Sequence, residues 1–383
     1  MKIGLTSDYF YPKTGGAEQS ALELCRALVK KGHEVVVFTR GEGSKDSLEG
    51  ITINRIFKDL IKYTFKNDVL FPRIADKKES KRLFEYLQNK DFDILHSNNR
   101  DTAVFTALVG EKLNIPTITH IRDYWPICPK RDLLKSDGPC PEPKNCAFCM
   151  AEYYDKLYNL PFYAKSALDT RYRYREISKY SDYFLYNSRY VKERIALTPG
   201  EVIHNPVDID KIQQGKSKDG KVLFVGNITE RKGVKTLVKA VKGLDITLHL
   251  IGDGYLLNQI KGENIIKHGR LEYEQVLKHL SDSEMLVVPS TWPEPFGRVA
   301  VEGMAAGLPV IVAESGGLPE VIDDCGLITK SGDHEDLNKK IVKLHKDEEL
   351  RKKLSKKGLA RSKMFSPQKI AERTLSIYKK LLN

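Results

Sequence analysis

The chain has no apolar run approaching the ~20 residues that a membrane-spanning helix needs, which excludes a helical integral membrane protein. It also lacks a charged leader followed by an apolar stretch. Met1 is followed at once by a strand-like run, Lys2 to Thr6, so a soluble, cytoplasmic protein is expected. Neither the P-loop pattern nor the G-x-G-x-x-G dinucleotide fingerprint occurs. An arginine-rich tail is missing too. Net charge is +12, but the excess lysine is spread along the chain. That balance admits phosphorylated substrates, an anionic membrane surface or nucleic acid, and by itself selects none. Cysteine is scarce: there are six, and four of them fall within 22 residues.

Those four are Cys128, Cys140, Cys146 and Cys149, spaced C-x11-C-x5-C-x2-C among Gly138, Pro139, Pro141 and Pro143. Four thiolates suit a structural zinc or an iron–sulfur cluster. Disulfides are disfavoured in a cytoplasmic protein, and plain free thiols are the other reading. Cys25, on an apolar helix face, and Cys325, near a turn, read as unligated.

What is present is a repeated strand–turn–helix pattern. The length of 383 residues suits two domains rather than one core. Lys2–Thr6, Val35–Thr39, Ile51–Phe57, Asp93–His96, Ile115–His120 and Tyr183–Tyr186 read as strands of a first sheet, with Val202–His204 closing it. Ala17, Ala21, Leu24, Cys25 and Leu28 recur at helical spacing until Gly32. A second series begins at Lys221–Gly226. The pattern predicts an α/β protein whose ligands bind at the carboxyl ends of its strands.

The most informative stretch is Pro289-Ser-Thr-Trp-Pro-Glu294-Pro-Phe296-Gly297-Arg-Val-Ala-Val-Glu302. It follows the apolar strand Met285–Val288 and opens a helix that ends at Gly307. Backbone N–H groups near Phe296 and Gly297 are suited to anionic or hydroxyl-rich ligands. Glu294 lies at the mouth of the helix and Glu302 about two turns further in.

Pro-Ser-x3-Glu-x-Phe-Gly, followed by Glu-x-Met-Ala-x-Gly-x-Pro-Val and by Gly316-Gly317-x-Pro319-Glu320, resembles the donor-binding core of the retaining, nucleotide-sugar-dependent glycosyltransferases of family four. The resemblance implies the GT-B fold, two facing Rossmann-like domains. They would span 1–205, with a cysteine-rich insertion at about 128–149, and 206–366, with helix 367–383 returning to the first. It implies retaining, metal-independent transfer of a hexose from a nucleotide diphosphate sugar, with no catalytic cofactor. The acceptor would be a sugar (as in polysaccharide biosynthesis), a lipid-linked molecule or a small molecule.

The resemblance also assigns residues. Gly15 and Gly16 match the first domain's loop facing the donor diphosphate. Lys232 matches the lysine that grips the diphosphate; Asn227 replaces the family arginine, so Arg231 is expected to supply the missing charge. Arg270 and Leu271 belong to the segment holding the base, Glu302 to the ribose contact, and Glu294, with the amides near Phe296 and Gly297, to the sugar. A His-Asp pair is expected after the strand ending at His120. Aligning on the strand gives His120 with Asp123; aligning on Asp-Tyr-Trp puts Arg122 in the histidine's place, and both stand open. His204-Asn-Pro-Val-Asp208 resembles the interdomain Asn-Gly-Val-Asp turn, with Pro206 replacing glycine. Asp208-Ile-Asp210 and Asp91-Phe-Asp93 match a D-x-D pattern formally but read as structural.

Two segments remain. Lys58 to Arg82 is basic, with Tyr63, Phe65 and Phe71, and Ala151 to Tyr180 reads as one helix carrying Tyr153, Tyr154, Tyr158, Tyr163, Tyr172 and Tyr174. The first could be an acceptor-side surface; the second could bind sugars, lipid headgroups (a peripheral contact with the anionic inner face of a membrane) or single-stranded nucleic acid. Solvated, snorkelling side chains are the plainer reading. A same-fold epimerase or phosphorylase, and a basic module binding nucleic acid or a membrane surface, are the alternatives. The module leaves the motifs of the second half unexplained.

Overall fold

The computed structural model describes every residue except 13–14, 42, 59–71, 137 and 216–219, and the side chains of 72–75. Tyr63, Phe65 and Phe71, and most of the basic segment around them, therefore lie outside the described residues. The chain forms two compact units, Met1–Pro206 with Pro367–Asn383, and Val207–Ser366. The first crossing falls one residue beyond the expected boundary.

In chain order the first unit's strands are β1 (Lys2–Thr6), β2 (Glu34–Arg40), β3 (Lys45–Leu48), β4 (Ile51–Phe57), β5 (Ile94–Ser97) and β6 (Thr117–Ile121). After them come a two-residue ribbon, β7 (Leu134–Lys135) with β8 (Gly138–Pro139), then β9 (Tyr183–Tyr186) and β10 (Gly200–Val202). The main sheet runs β10-β9-β6-β5-β1-β2-β4-β3, parallel except for β3 against β4. Side chains alternate across a strand, so Val35 and Val37 pack on one face of the sheet and Val36 and Phe38 on the other. Both faces are covered, which is why these strands read as continuous apolar runs. Helix Gly16–Lys30 and the last helix, Pro367–Leu382, cover one face through Leu24, Leu28, Ile370 and Tyr378. Helices Pro72–Leu87 and Arg100–Leu113 cover the other.

The stretch Ala151–Tyr180, expected as one helix, is broken. One helix ends at Tyr153, Asp155 takes φ +49°, and a second runs Leu160–Tyr180. Pro161 explains the restart. It lacks an N–H, so it is accommodated in a first turn but not in a helix interior.

The second unit's strands are β11 (Lys221–Val225), β12 (Thr247–Ile251), β13 (Ile265–Gly269), β14 (Met285–Val288), β15 (Val310–Ala313) and β16 (Leu327–Thr329). They form one parallel sheet ordered β13-β12-β11-β14-β15-β16. Counted within the unit this is 3-2-1-4-5-6, the Rossmann order. Its ligand crevice lies where the order reverses, at the carboxyl ends of the first and fourth strands. In this unit that point is the end of β11 and β14. The first unit repeats the arrangement, with its reversal between β1 and β5.

Candidate active site

The turn after β11 and the loop after β14 are laced together at the reversal point of the second unit. Thr291 and Trp292 donate their backbone N–H groups to the Arg231 carbonyl at 2.9 and 3.2 Å. Gly233 permits this approach: its φ is +71°, and a Cβ there would lie 1.8 Å from the Pro289 carbonyl oxygen. The lacing sets Lys232 against Glu294, with Nζ 2.6 Å from Oε2. The same oxygen accepts from Trp292 Nε1 at 2.9 Å and Ser290 Oγ at 3.2 Å. The Lys232 ammonium and the Arg231 guanidinium each lie 5.1 Å from the centre of the Trp292 ring. Both candidate cations thus meet at one aromatic side chain, and one of them is neutralised by the candidate sugar-binding carboxylate.

The loop carrying Glu294 is held from behind by the turn after β15. Gly317 N–H donates to the Glu294 carbonyl at 2.7 Å, and Ser315 Oγ to that of Trp292. Gly316, at φ +60°, has room for no side chain, since a Cβ would lie 2.2 Å from the Glu294 carbonyl oxygen. Gly297 precedes the helix Arg298–Ala305 at φ +92°. The Phe296 side chain is buried against Phe365, with ring centres 5.7 Å apart. Only its backbone is suited to a ligand.

Glu302 is 5% exposed. Its Oε1 accepts from Arg298 Nε at 3.0 Å and from Tyr273 Oη at 3.0 Å. Burial and the Glu302 carboxylate push the Tyr273 hydroxyl's pKa up, so the tyrosine remains a proton donor. Arg270 and Leu271, after β13, line a cavity of about 570 Å³ together with Gly226, Asn227 and Asp253 from the ends of β11 and β12.

In the first unit, Gly15 and Gly16 open the helix Gly16–Lys30, and Glu18 accepts from the Gly15 N–H at 3.0 Å. Asn99 Nδ2 donates to Glu18 at 3.0 Å, while its Oδ1 accepts from Ser7 Oγ at 2.7 Å. Asp8 joins this network through its backbone N–H. Burial, reinforced by Asp101 and Glu18, drives its carboxyl well above the usual range.

The two alignments of the His-Asp pair place very different groups. His120 is 1% exposed; its Nδ1 lies 3.3 Å from His96 Nε2, and His96 in turn meets Tyr378 Oη at 2.6 Å. Burial, with the Arg122 charge and His96, holds the His120 imidazole well below its ordinary pKa. It is therefore a neutral interior group, offering no ring surface to a substrate in this conformation. Arg122 stands at the strand end, bonded to Asn98 Oδ1 at 2.7 Å and to Asn205 Oδ1. Asp123 accepts from the Trp125 N–H at 2.9 Å and pairs with Arg131 at 2.5 Å.

All four clustered cysteines line one cavity of about 10 Å³ beside Lys130, Leu134 and Met150. Cys128 is buried; the other three are partly buried. Burial and the neighbouring thiols raise Cys146 to about 11. Cys140 Sγ donates to the Glu142 carbonyl at 3.2 Å. Cys25 is buried alone, pushed up to about 12. The two D-x-D matches have local roles: Asp93 accepts from the Lys2 N–H at 2.6 Å, and Asp208 pairs with Lys211 at 2.9 Å. Among the described residues no helix is long and apolar enough to cross a membrane.

Sequence reasoning missed Tyr273, Arg131 and the support of Glu294 by Trp292 and Ser290. Tyr273 is separated from Glu302 by 29 positions and carries no local pattern. Trp292 and Ser290 sit inside the quoted motif, where spacing alone does not show that their donors converge on Glu294.

The chain is similar to an uncharacterized glycosyltransferase of Methanocaldococcus jannaschii, 35% identical over 230 residues, covering 57% of this chain and 65% of that protein. The chain thus spans under two thirds of that relative. It is also similar to the N-acetyl-alpha-D-glucosaminyl L-malate synthase of Bacillus anthracis, 26% identical over 99% of this chain and 96% of that one. Among solved structures, the sucrose-phosphate synthase of Thermosynechococcus elongatus superposes with a TM-score of 0.75 at 19% identity, covering 99% of this chain and 98% of the other. Anabaena HepE, solved with UDP and glucose, gives 0.72 at 18%, covering 99% of each chain. At these identities the superpositions establish the fold alone, which is GT-B. Two family descriptions match: Glycosyl transferases group 1 over residues 207–361, and Glycosyltransferase Family 4 over residues 14–211, more than half of the chain. The chain belongs to Glycosyltransferase Family 4, in the group 1 glycosyl transferases.

Proposed function

We propose that the protein transfers a hexose from a nucleotide diphosphate sugar to an acceptor hydroxyl, with retention at the anomeric carbon. The acceptor is a glycan, a lipid-linked molecule or a small molecule. The observation that carries the proposal is the Lys232–Glu294 pair at the reversal point of the second sheet. The bond from the anomeric carbon to the diphosphate breaks with its electron pair on the diphosphate. A bond to the acceptor oxygen forms as that hydroxyl's proton passes to the departing diphosphate. Charge grows on the diphosphate, so the protein's task is placement and electrostatic stabilisation.

Lys232 leaves Glu294 for the diphosphate when the donor binds, and Arg231 adds a second positive charge. Two cations at the leaving group do the work of a divalent metal, so catalysis proceeds without one. Glu294, released, and the amides of Phe296 and Gly297 hold the sugar hydroxyls. Glu302 takes the ribose, oriented by Tyr273 and Arg298. Arg270 and Leu271 border the base. Gly15 and Gly16 offer backbone to an anionic group at a helix start. Asp123 and Arg122 serve the transferred sugar and acceptor, with His120 acting as a positioning group behind them.

A thermal-shift screen of nucleoside diphosphate sugars tests the proposal, because a ligand that binds the folded state raises its apparent stability. Uridine diphosphate sugars come first, since HepE was solved with UDP-glucose. Stabilisation by one donor, followed by anomer-retaining transfer, is expected; product formed from the donor alone would indicate an epimerase instead. For the cysteines, we propose one structural zinc. Four soft donors suit zinc, but no three of the four sulfurs lie within 4.8 Å of one another, so the ion would have to draw them together. Metal analysis showing no zinc in anaerobically purified protein with four reactive thiols removes that part.

A further inference from the structure

Three histidines of the second unit, none of which lines the cavity beside Arg270, converge. His249 lies on β12, His268 on β13, and His279 on the helix Tyr273–Ser281 that packs over them. Their placement follows from sheet geometry. Leu248 and Leu250 face one core, so alternation puts His249 with Ile251 on the opposite face, where Val276 and Leu280 of the helix also pack. The pairing of β12 with β13 shifts at this point. Leu250 opposes Lys267 and Ile251 opposes Gly269, leaving His268 as the extra residue. Such a bulge re-aims a side chain, and here it brings His268 Nε2 to 2.9 Å from His249 Nδ1. The His279 ring centre lies 4.4 Å from that of His268 and 6.1 Å from that of His249.

We infer that His249, His268 and His279 form a binding site for one divalent transition-metal ion of the zinc or cobalt kind. One nitrogen from each ring lies within 4.8 Å of the others, and among the described residues no other group of three or more His, Cys, Asp or Glu meets that condition. Zinc–imidazole bonds of about 2.0–2.1 Å around a tetrahedral ion need nitrogens roughly 3.3 Å apart, so small adjustments of the rings suffice. Imidazole is a ligand only when neutral. Above its ordinary pKa of about 6.5 an imidazole is mostly neutral, and its unprotonated ring nitrogen has a lone pair to offer.

The charged groups around the site are Lys221, Lys278 and Asp282. Lys221 Nζ lies 3.2 Å from His279 Nδ1 and is paired with Asp282, whose carboxylate offsets the charge an incoming ion would meet. Three protein ligands leave a fourth position for water. The ion would pin two strands to the helix that covers them.

The test uses untagged full-length protein stripped with a chelator, then titrated with Co²⁺ and, in thermal melts, with Zn²⁺. One Co²⁺ is expected to give d–d absorption lacking the thiolate-to-cobalt charge-transfer band of a cysteine site. His249→Gln and His279→Gln should each weaken that binding at least about tenfold, since even loss of a ligand's outer partner costs roughly 10–100-fold. Both should abolish the part of the Zn²⁺-induced rise in melting temperature that persists in Cys146→Ser. Circular dichroism and unchanged melting without metal establish that the variants are folded. The inference is overturned if the histidine variants bind Co²⁺ as the parent does, or if every metal signal carries thiolate character and vanishes in Cys146→Ser.

Discussion

Lys232 is proposed to exchange Glu294 for the donor diphosphate, and that exchange can be measured. Bound to Glu294 at 2.6 Å, it is the positive charge assigned to the leaving diphosphate. Lys232→Ala should lower kcat/KM by well over tenfold; a loss within about threefold, under 1.4 kcal/mol, removes it from that role. The two glutamates should separate by calorimetry. Glu302→Gln should weaken nucleoside diphosphate and full donor alike, by roughly 1.5–3 kcal/mol for a charged acceptor. Glu294→Gln should leave diphosphate affinity no weaker, since Lys232 is then held less tightly, and should lower turnover. The opposite pattern reverses the donor's orientation. The placement of these residues was legible because their motif is local and specific. Tyr273, whose hydroxyl sets Glu302, was not, and neither was the interior position of His120, which depends on what packs over a strand end rather than on its sequence.

At the level of elements, the loop after β14 owes its shape to the turn behind it. Gly316→Ala places a Cβ 2.2 Å from the Glu294 carbonyl oxygen at φ +60°. Gly332 has a similar φ of +78°, and nothing lies within 4 Å of where its Cβ would stand. Gly332→Ala should therefore cost only the backbone term, about 1–2 kcal/mol. Gly316→Ala should cost more in denaturant melts and also lower turnover, because Glu294 must move; equal costs with unchanged turnover would separate the turn from the site. The parallel strands were readable from their apolar runs. The break near Asp155 and the bulge at His268 were not, because one depends on a local φ and the other on pairing with a second strand.

For the whole molecule, the two-domain architecture followed from length and repeated strand–helix pattern, yet the buried histidines give it a pH dependence that no pattern announces. His96 is fully buried and lowered to about 3, mainly by burial and then by Arg122. The unfolded chain binds that proton near pH 6.5, so stability is present above about 6.5 and is lost as the pH falls from there towards 3. The slope is about 1.4 kcal/mol per pH unit for one such group. His120 acts in the same direction. Denaturant melts at pH 7.5 and 5.0 should show a smaller acid loss in His96→Gln than in the parent protein; parallel losses would mean that His96 is solvated when protonated.

The return of the last helix has a consequence for the order of events at the ribosome. Ile370, Ala371, Ile377 and Tyr378 belong to the same buried cluster as Ile3, Leu5 and Val35. The second unit, Val207–Ser366, is contiguous and is synthesised before them. The unit that holds Met1 is thus the last whose parts are all made. While the ribosome is still reading the second unit, the first presents an uncovered strip of apolar side chains along β1 and β2. Released chains that stop just before Pro367 should hold a protease-resistant second unit beside a first unit that binds chaperones, and released chains that run past Tyr378 should not bind them.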